Sequence, residues 1–236
     1  MSQDNANVTV PRPKISLYIS PDAPPDELLF ARQLGVDCVY TWVRDDQRNV
    51  AYLKTLRQKV EDQGMILWNV GNISVAKSDK IHLALPGRDQ VIADFRAFVE
   101  ALGEAGIPIT TFTWEPTQVW SSEPGETRGA RTRRVDLDGR VYSEAELWDN
   151  FAYFMQRIMP VAEGAGVRLA LHPNDPPADI LLGGIPCLIH NAAAYRKAFA
   201  IADSPALGME FCVGCWLEGG TSGFGDVLDG IREFHA

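Results

Sequence analysis

The stretch ALGEAGIPITTFTWE, Ala101 to Glu115, decides the fold. Its first half reads as the last turn of a helix, and Gly106 as the stop. Ile109–Trp114 reads as a short apolar strand that begins at once. Glycine takes the left-handed conformation at a helix end at little cost, so the pattern is a helix C-cap feeding a strand. The same punctuation recurs in ARQLGVDCVYTWV, KVEDQGMILWNV and AEGAGVRLALH, at Gly35, Gly64 and Gly166. DSPALGMEFCVGC does something similar with Pro205 and Gly208.

The segments between these stops have helical period. Val91, Phe95, Phe98 and Leu102 share one face. Leu147, Phe151, Phe154 and Ile158 repeat that spacing after Ser143, an N-cap with Glu146 three residues on. The strands are short and apolar without clean polar alternation, as in a parallel sheet covered on both faces. Six are expected: Ile15–Ser20, Asp37–Trp42, Ile66–Val70, Ile109–Trp114, Arg168–His172 and Gly208–Cys212. Strands alternating with helices give an α/β fold. A doubly wound sheet and a (β/α)8 TIM barrel both fit the alternation. The barrel is favoured, because the loop after the first strand is proline-rich rather than a glycine-rich phosphate loop. In addition, Arg44, Asn69, Asn72, Glu115, His172 with Asp175, and Cys212 all gather just beyond strand ends, which meet at one mouth in a barrel. Only about six βα units are present. The expectation is a flexible lead over residues 1–13, one incomplete barrel domain over 14–236, and a fragment of a longer protein; a native six-stranded α/β domain is the alternative.

Composition narrows the function. The chain has 236 residues, 46% of them hydrophobic, which is enough for one sizeable core. Its net charge of −9, from 31 acidic and 22 basic residues, argues against nucleic acid as a partner. No apolar run approaches the roughly 20 residues that span a bilayer, and the N-terminus has no basic and apolar signal regions. Cys38, Cys187, Cys212 and Cys215 fit no disulfide framework, so reduced thiols in a cytoplasmic protein are expected.

His172 ends a buried strand and opens the rigid turn HPNDPP. It reads as a metal ligand or catalyst, or as a satisfied structural histidine. Asp175 is close enough in sequence to orient the imidazole, as a ligating histidine requires, or to act in the site itself. Cys212 ends the next strand, so a thiolate and an imidazole on neighbouring strand ends would hold a divalent transition metal. Cys212 and Cys215 also form a C-x-x-C. A redox pair belongs at a helix N-terminus, and the following WLEGGTSGFGD does not read as one. Cys215 and Cys187 are therefore taken as bystanders and Cys38 as core. The long segment Trp114–Gly139 carries Arg128, Arg131, Arg133 and Arg134; Arg131 and Arg133 would clamp a substrate carboxylate in bidentate fashion, or the segment is a solvated, disordered loop. Trp114 and Trp120 would offer a face to a sugar chain. Glu115 is a candidate acid, base or ligand, or an ordinary loop carboxylate. Asn69 and Asn72 would bind substrate hydroxyls, or merely shape a turn. His82, His190 and His235 look peripheral.

LALHPNDPP, followed by SPALGMEFCVGCW, resembles the mannonate dehydratases of the bacterial hexuronate pathway. That family carries a His-Pro-Asp-Asp-Pro-Pro turn, then a Ser-Pro and a Phe-Cys-x-Gly stretch. WEPTQVWSSEPGETRGARTRRVDLD is similar to its long loop, so the likeness runs from about Trp114 onward. Asn174 stands where the family has the first aspartate of its pair, and Asp175 keeps the second. The resemblance implies a xylose isomerase-like TIM barrel and a hydro-lyase. It implies dehydration of D-mannonate to 2-keto-3-deoxy-D-gluconate in glucuronate catabolism, with Mn²⁺ or Fe²⁺. It implies His172 and Cys212 as metal ligands, with a further histidine and aspartate from later strands. A sugar isomerase or epimerase on the same barrel, and a non-catalytic sugar-acid-binding remnant, stay open. So does a homo-oligomer.

Overall fold

The computed structural model describes residues 13–115, 126–127, 130–131 and 140–235. The expected N-terminal lead thus lies, up to residue 12, outside the described residues. Six strands form one parallel sheet: β1 (Ser16–Tyr18), β2 (Cys38–Trp42), β3 (Ile66–Gly71), β4 (Ile109–Thr113), β5 (Arg168–His172) and β6 (Leu207–Met209). Helices α1 (Pro25–Gln33), α2 (Val50–Glu61), α3 (Arg88–Ala105), α4 (Glu144–Ala165) and α5 (Ala192–Ala202) make the crossovers that parallel neighbours need. Helices α6 (Val213–Gly223) and α7 (Val227–Phe234) follow β6.

The strands lie in the sheet in the order of the sequence. A doubly wound sheet reverses its order at a switch point, and this one does not. The sheet also curls. A single cavity of about 550 Å³ is lined from all six strands, from Ser16 on β1 to Met209 on β6. A flat sheet could not offer both its edges to one cavity. The molecule therefore has six βα units of a TIM-barrel-type α/β fold.

Strand parity separates inside from outside. On β4, Ile109, Thr111 and Thr113 face the cavity, while Phe112 turns to the helix layer and meets Phe154 of α4 at 5.9 Å. Phe154 in turn stacks on Phe95 of α3 at 5.6 Å. All three rings are almost fully buried, and cutting one to alanine would cost about 3–5 kcal/mol. Leu147, Phe151, Phe154 and Ile158 form the buried stripe of α4, and Ser143 caps it by accepting from the Glu146 amide at 3.2 Å.

The four stop glycines all take the left-handed conformation, with φ between +66° and +85°. Gly103 serves another purpose. A Cβ there would sit 2.5 Å from the Ala165 carbonyl, so only glycine lets α3 approach the end of α4 this closely. No described helix is long and apolar enough to cross a membrane.

Candidate metal centre and substrate cavity

His172 is the last residue of β5. Its Nδ1 lies 2.7 Å from the Pro173 carbonyl oxygen. A carbonyl only accepts, so Nδ1 is the donor here, and Nε2 is the ring nitrogen left to face a metal. Pro173, not Asp175, therefore supplies the orienting acceptor. Asp175 is exposed and is felt electrostatically at Cys215.

Cys212 is not the end of a strand. β6 stops at Met209, and Cys212 is the N-cap of α6, its sulfur accepting from the Cys215 amide at 3.5 Å. The C-x-x-C thus stands at a helix N-terminus after all. Cys215, expected to be a bystander, joins the site. One ligand atom each from His172, Cys212 and Cys215 lies within 4.8 Å of the other two. Burial and the neighbouring Cys212 push the Cys215 thiol well above its usual range. The donor set, an imidazole and two sulfurs, fits a divalent transition metal.

The remaining expectations fall out unevenly. Asn69 lines the cavity, with Nδ2 donating to Thr111 Oγ1 at 2.7 Å. Asn72 ties a turn, donating to the Val43 carbonyl and to Asp45. Glu115 is buried and pairs with Lys77 at 3.0 Å, and Lys77 carries that charge to the cavity wall. Trp114 must be corrected. Its indole is 1% exposed and packs on Phe151 and His82 at 5.0 and 4.4 Å, so it is core and offers no face to a substrate. Its parity explains this, since 110, 112 and 114 all point to the helices. His82 is likewise interior rather than peripheral, and burial, with Lys77 nearby, lowers its pKa to about 3. Arg131 belongs to a two-residue strand paired with Glu126–Thr127. Its side chain lies outside the described residues, as do Arg128, Arg133, Arg134 and Trp120.

Two residues were missed. Glu210 lines the cavity with His172, and its Oε2 is buried without a hydrogen-bond partner among the described residues. Lys77 is the other. Glu210 directly follows β6, the signal that selected His172, whereas Lys77 follows the short helix Ile73–Ala76 after β3 and carries no such signal. Asn174 proves to be structural. Nδ2 donates to the Trp114 carbonyl at 3.2 Å, and Oδ1 accepts from the Ile189 amide at 2.6 Å. Both polarities are used, which an aspartate could not match.

Residues 130–236 match the family model for D-mannonate dehydratase (UxuA). A mannonate dehydratase of Enterococcus faecalis is 26% identical over 231 residues, covering 80% of this chain and 63% of that protein. One from Streptococcus pneumoniae is 28% identical over 197 residues, covering 68% of this chain and 53% of that protein. The chain therefore spans a little over half the length of the curated relatives it matches. The crystal structure of mannonate dehydratase from Streptococcus suis serotype 2 aligns over 94% of this chain and 70% of that one, with a TM-score of 0.76 and 25% identity. A xylose isomerase domain protein from Planctomyces limnophilus shares the fold at a TM-score of 0.60 and 15% identity. Fold and site together define a TIM-barrel-type α/β protein with a candidate divalent-metal centre at the C-terminal ends of its strands. Within that class, the chain is similar to the mannonate dehydratases, and residues 130–236 carry the match to their family model.

Proposed function

We propose that this chain takes part in the dehydration of D-mannonate to 2-keto-3-deoxy-D-gluconate, with Mn²⁺ or Fe²⁺ held by His172 and Cys212. The observation that carries the reading is the convergence of those two side chains in a chain whose residues 130–236 match the D-mannonate dehydratase model. The reaction removes the proton next to the carboxylate and expels the hydroxyl on the adjacent carbon; the enol formed becomes the 2-keto acid. When bound, the metal supplies Lewis-acid stabilisation of the negative charge that builds on the substrate carboxylate.

The chain's own groups do the rest. A cavity of about 550 Å³ is within the range that encloses small ligands. Asn69, Thr111 and Thr113 offer hydrogen bonds to substrate hydroxyls along its wall. Lys77 presents a cation to it, steadied by Glu115. Arg131 and Arg133 are assigned to the carboxylate clamp. Among the described residues, Glu210 is the carboxylate that lines the cavity, and we assign it the proton; Asp175 is exposed and Glu115 is engaged by Lys77. Four free thiols suit a reducing, cytoplasmic setting.

The test is turnover of D-mannonate by the native chain loaded with Mn²⁺ or Fe²⁺, followed as 2-keto acid, beside metal content. His172→Ala is expected to lose both metal and turnover. Unchanged metal stoichiometry in that variant overturns the reading.

A further inference from the structure

Resting on the reading of His172 and Cys212 as ligands, we propose that Cys215 is a third protein ligand, making a one-imidazole, two-thiolate centre that favours Fe²⁺ and Zn²⁺ over Mn²⁺.

The geometry is specific. A tetrahedral ion with bonds of about 2.3 Å to sulfur and 2.0 Å to nitrogen holds its donors about 3.5–3.8 Å apart. Here three donor atoms already lie within 4.8 Å of one another. Closing the gap takes about 1 Å of side-chain adjustment. The helix start sets the two sulfurs on one side, because Cys212 caps α6 and Cys215 sits three residues on, in its first turn. The Cys215 amide donates to the Cys212 sulfur, which secures that sulfur's orientation.

The frame around them is rigid. Phe211 stacks on Trp216 at 4.3 Å, and Trp216 stacks on Phe224 at 4.3 Å. Trp216 is 1% exposed and Cys215 2% exposed. The residues flanking both cysteines are thus anchored, and Cys215 is buried with its sulfur within 4.8 Å of an imidazole nitrogen. A donor held in that way is pre-organised for an ion. Chemistry then gives the preference. A second soft thiolate penalises Mn²⁺, which prefers oxygen ligands and stands lowest among the first-row divalent ions, and it rewards Fe²⁺ and Zn²⁺.

Zinc K-edge X-ray absorption on the native chain, loaded with Zn²⁺ under reductant, tests this without any variant. Two sulfur scatterers at about 2.3 Å and one imidazole are expected. One sulfur overturns the role of Cys215 and leaves the dehydratase reading standing; failure to retain zinc overturns both. Competition between Zn²⁺ and Mn²⁺ by equilibrium dialysis gives the second arm. Cys215→Ser is expected to reduce the preference for Zn²⁺ by more than about tenfold, since even outer partners of a metal site are worth that much. An unchanged preference overturns the proposal.

Discussion

The hydroxyl of Tyr195, on a ring with no exposed surface, donates to the carbonyl of Leu171 at 3.0 Å, one residue before His172. Helix α5 thereby fixes the height at which β5 delivers its imidazole. The same carbonyl accepts from the Glu210 amide at 3.0 Å, so one atom joins β5, the loop after β6 and α5. Tyr195→Phe removes one hydrogen bond and leaves the carbonyl its other partner. A loss of about 1 kcal/mol is expected, read as a lower urea midpoint with unchanged slope.

Asn174→Asp restores the residue that the family's motif carries and is expected to destabilise this chain. The substitution removes the donor to Trp114 and buries a carboxyl group in its place. The cost is about 1–3 kcal/mol. Burial raises the carboxyl pKa in the folded state, so the penalty grows as pH rises. Urea titrations at acid and neutral pH check both the size and the direction.

His82 makes stability depend on pH. Its folded pKa is about 3, against an unfolded value near 6.5. Between those values the unfolded chain binds a proton that the folded chain refuses. Stability is therefore fully present above about pH 6.5 and falls, as pH drops toward 3, by about 1.4 kcal/mol per unit. His82→Gln is expected to lose that share of the slope. Equal slopes in the two proteins would contradict the assignment.

The Lys77–Glu115 pair is mostly buried, with side-chain exposures of 14% and 7%. Lys77→Met leaves a carboxylate in the interior without this partner, and a loss of about 3–5 kcal/mol is expected. Adding Glu115→Leu should recover much of it. A double-mutant cycle on unfolding free energies measures the coupling.

Much of the fold was legible because glycine stops and apolar strands are local signals. Gly106 and Gly166 mark where α3 and α4 end. His172 was legible because a histidine interrupts an apolar strand at its C-terminal end. Trp114 was misread because a tryptophan beside a loop looks accessible until the parity of β4 is counted. Cys215 was misread for a different reason. WLEGGTSGFGD is rich in glycine, and Gly220 does break the helical path, at φ 60° and ψ −173°. Yet the turns before it form, because Cys212 caps them and Trp216 is buried against Phe224. That is a tertiary cause, which no short window of sequence contains.

The ordering of the sheet has a colloidal consequence. Among the described residues, β1 and β6 each have a neighbour on one side only, and β1 shows Leu17 and Tyr18, 43% and 47% exposed, to its surroundings. Their outward main-chain amides and carbonyls form a template for another strand. Two copies joined β6 to β1 still present one unused rim at each end, so such growth halts only by closing into a ring. Handling at low concentration and the choice of fusion partner will thus govern how much of this protein stays dispersed.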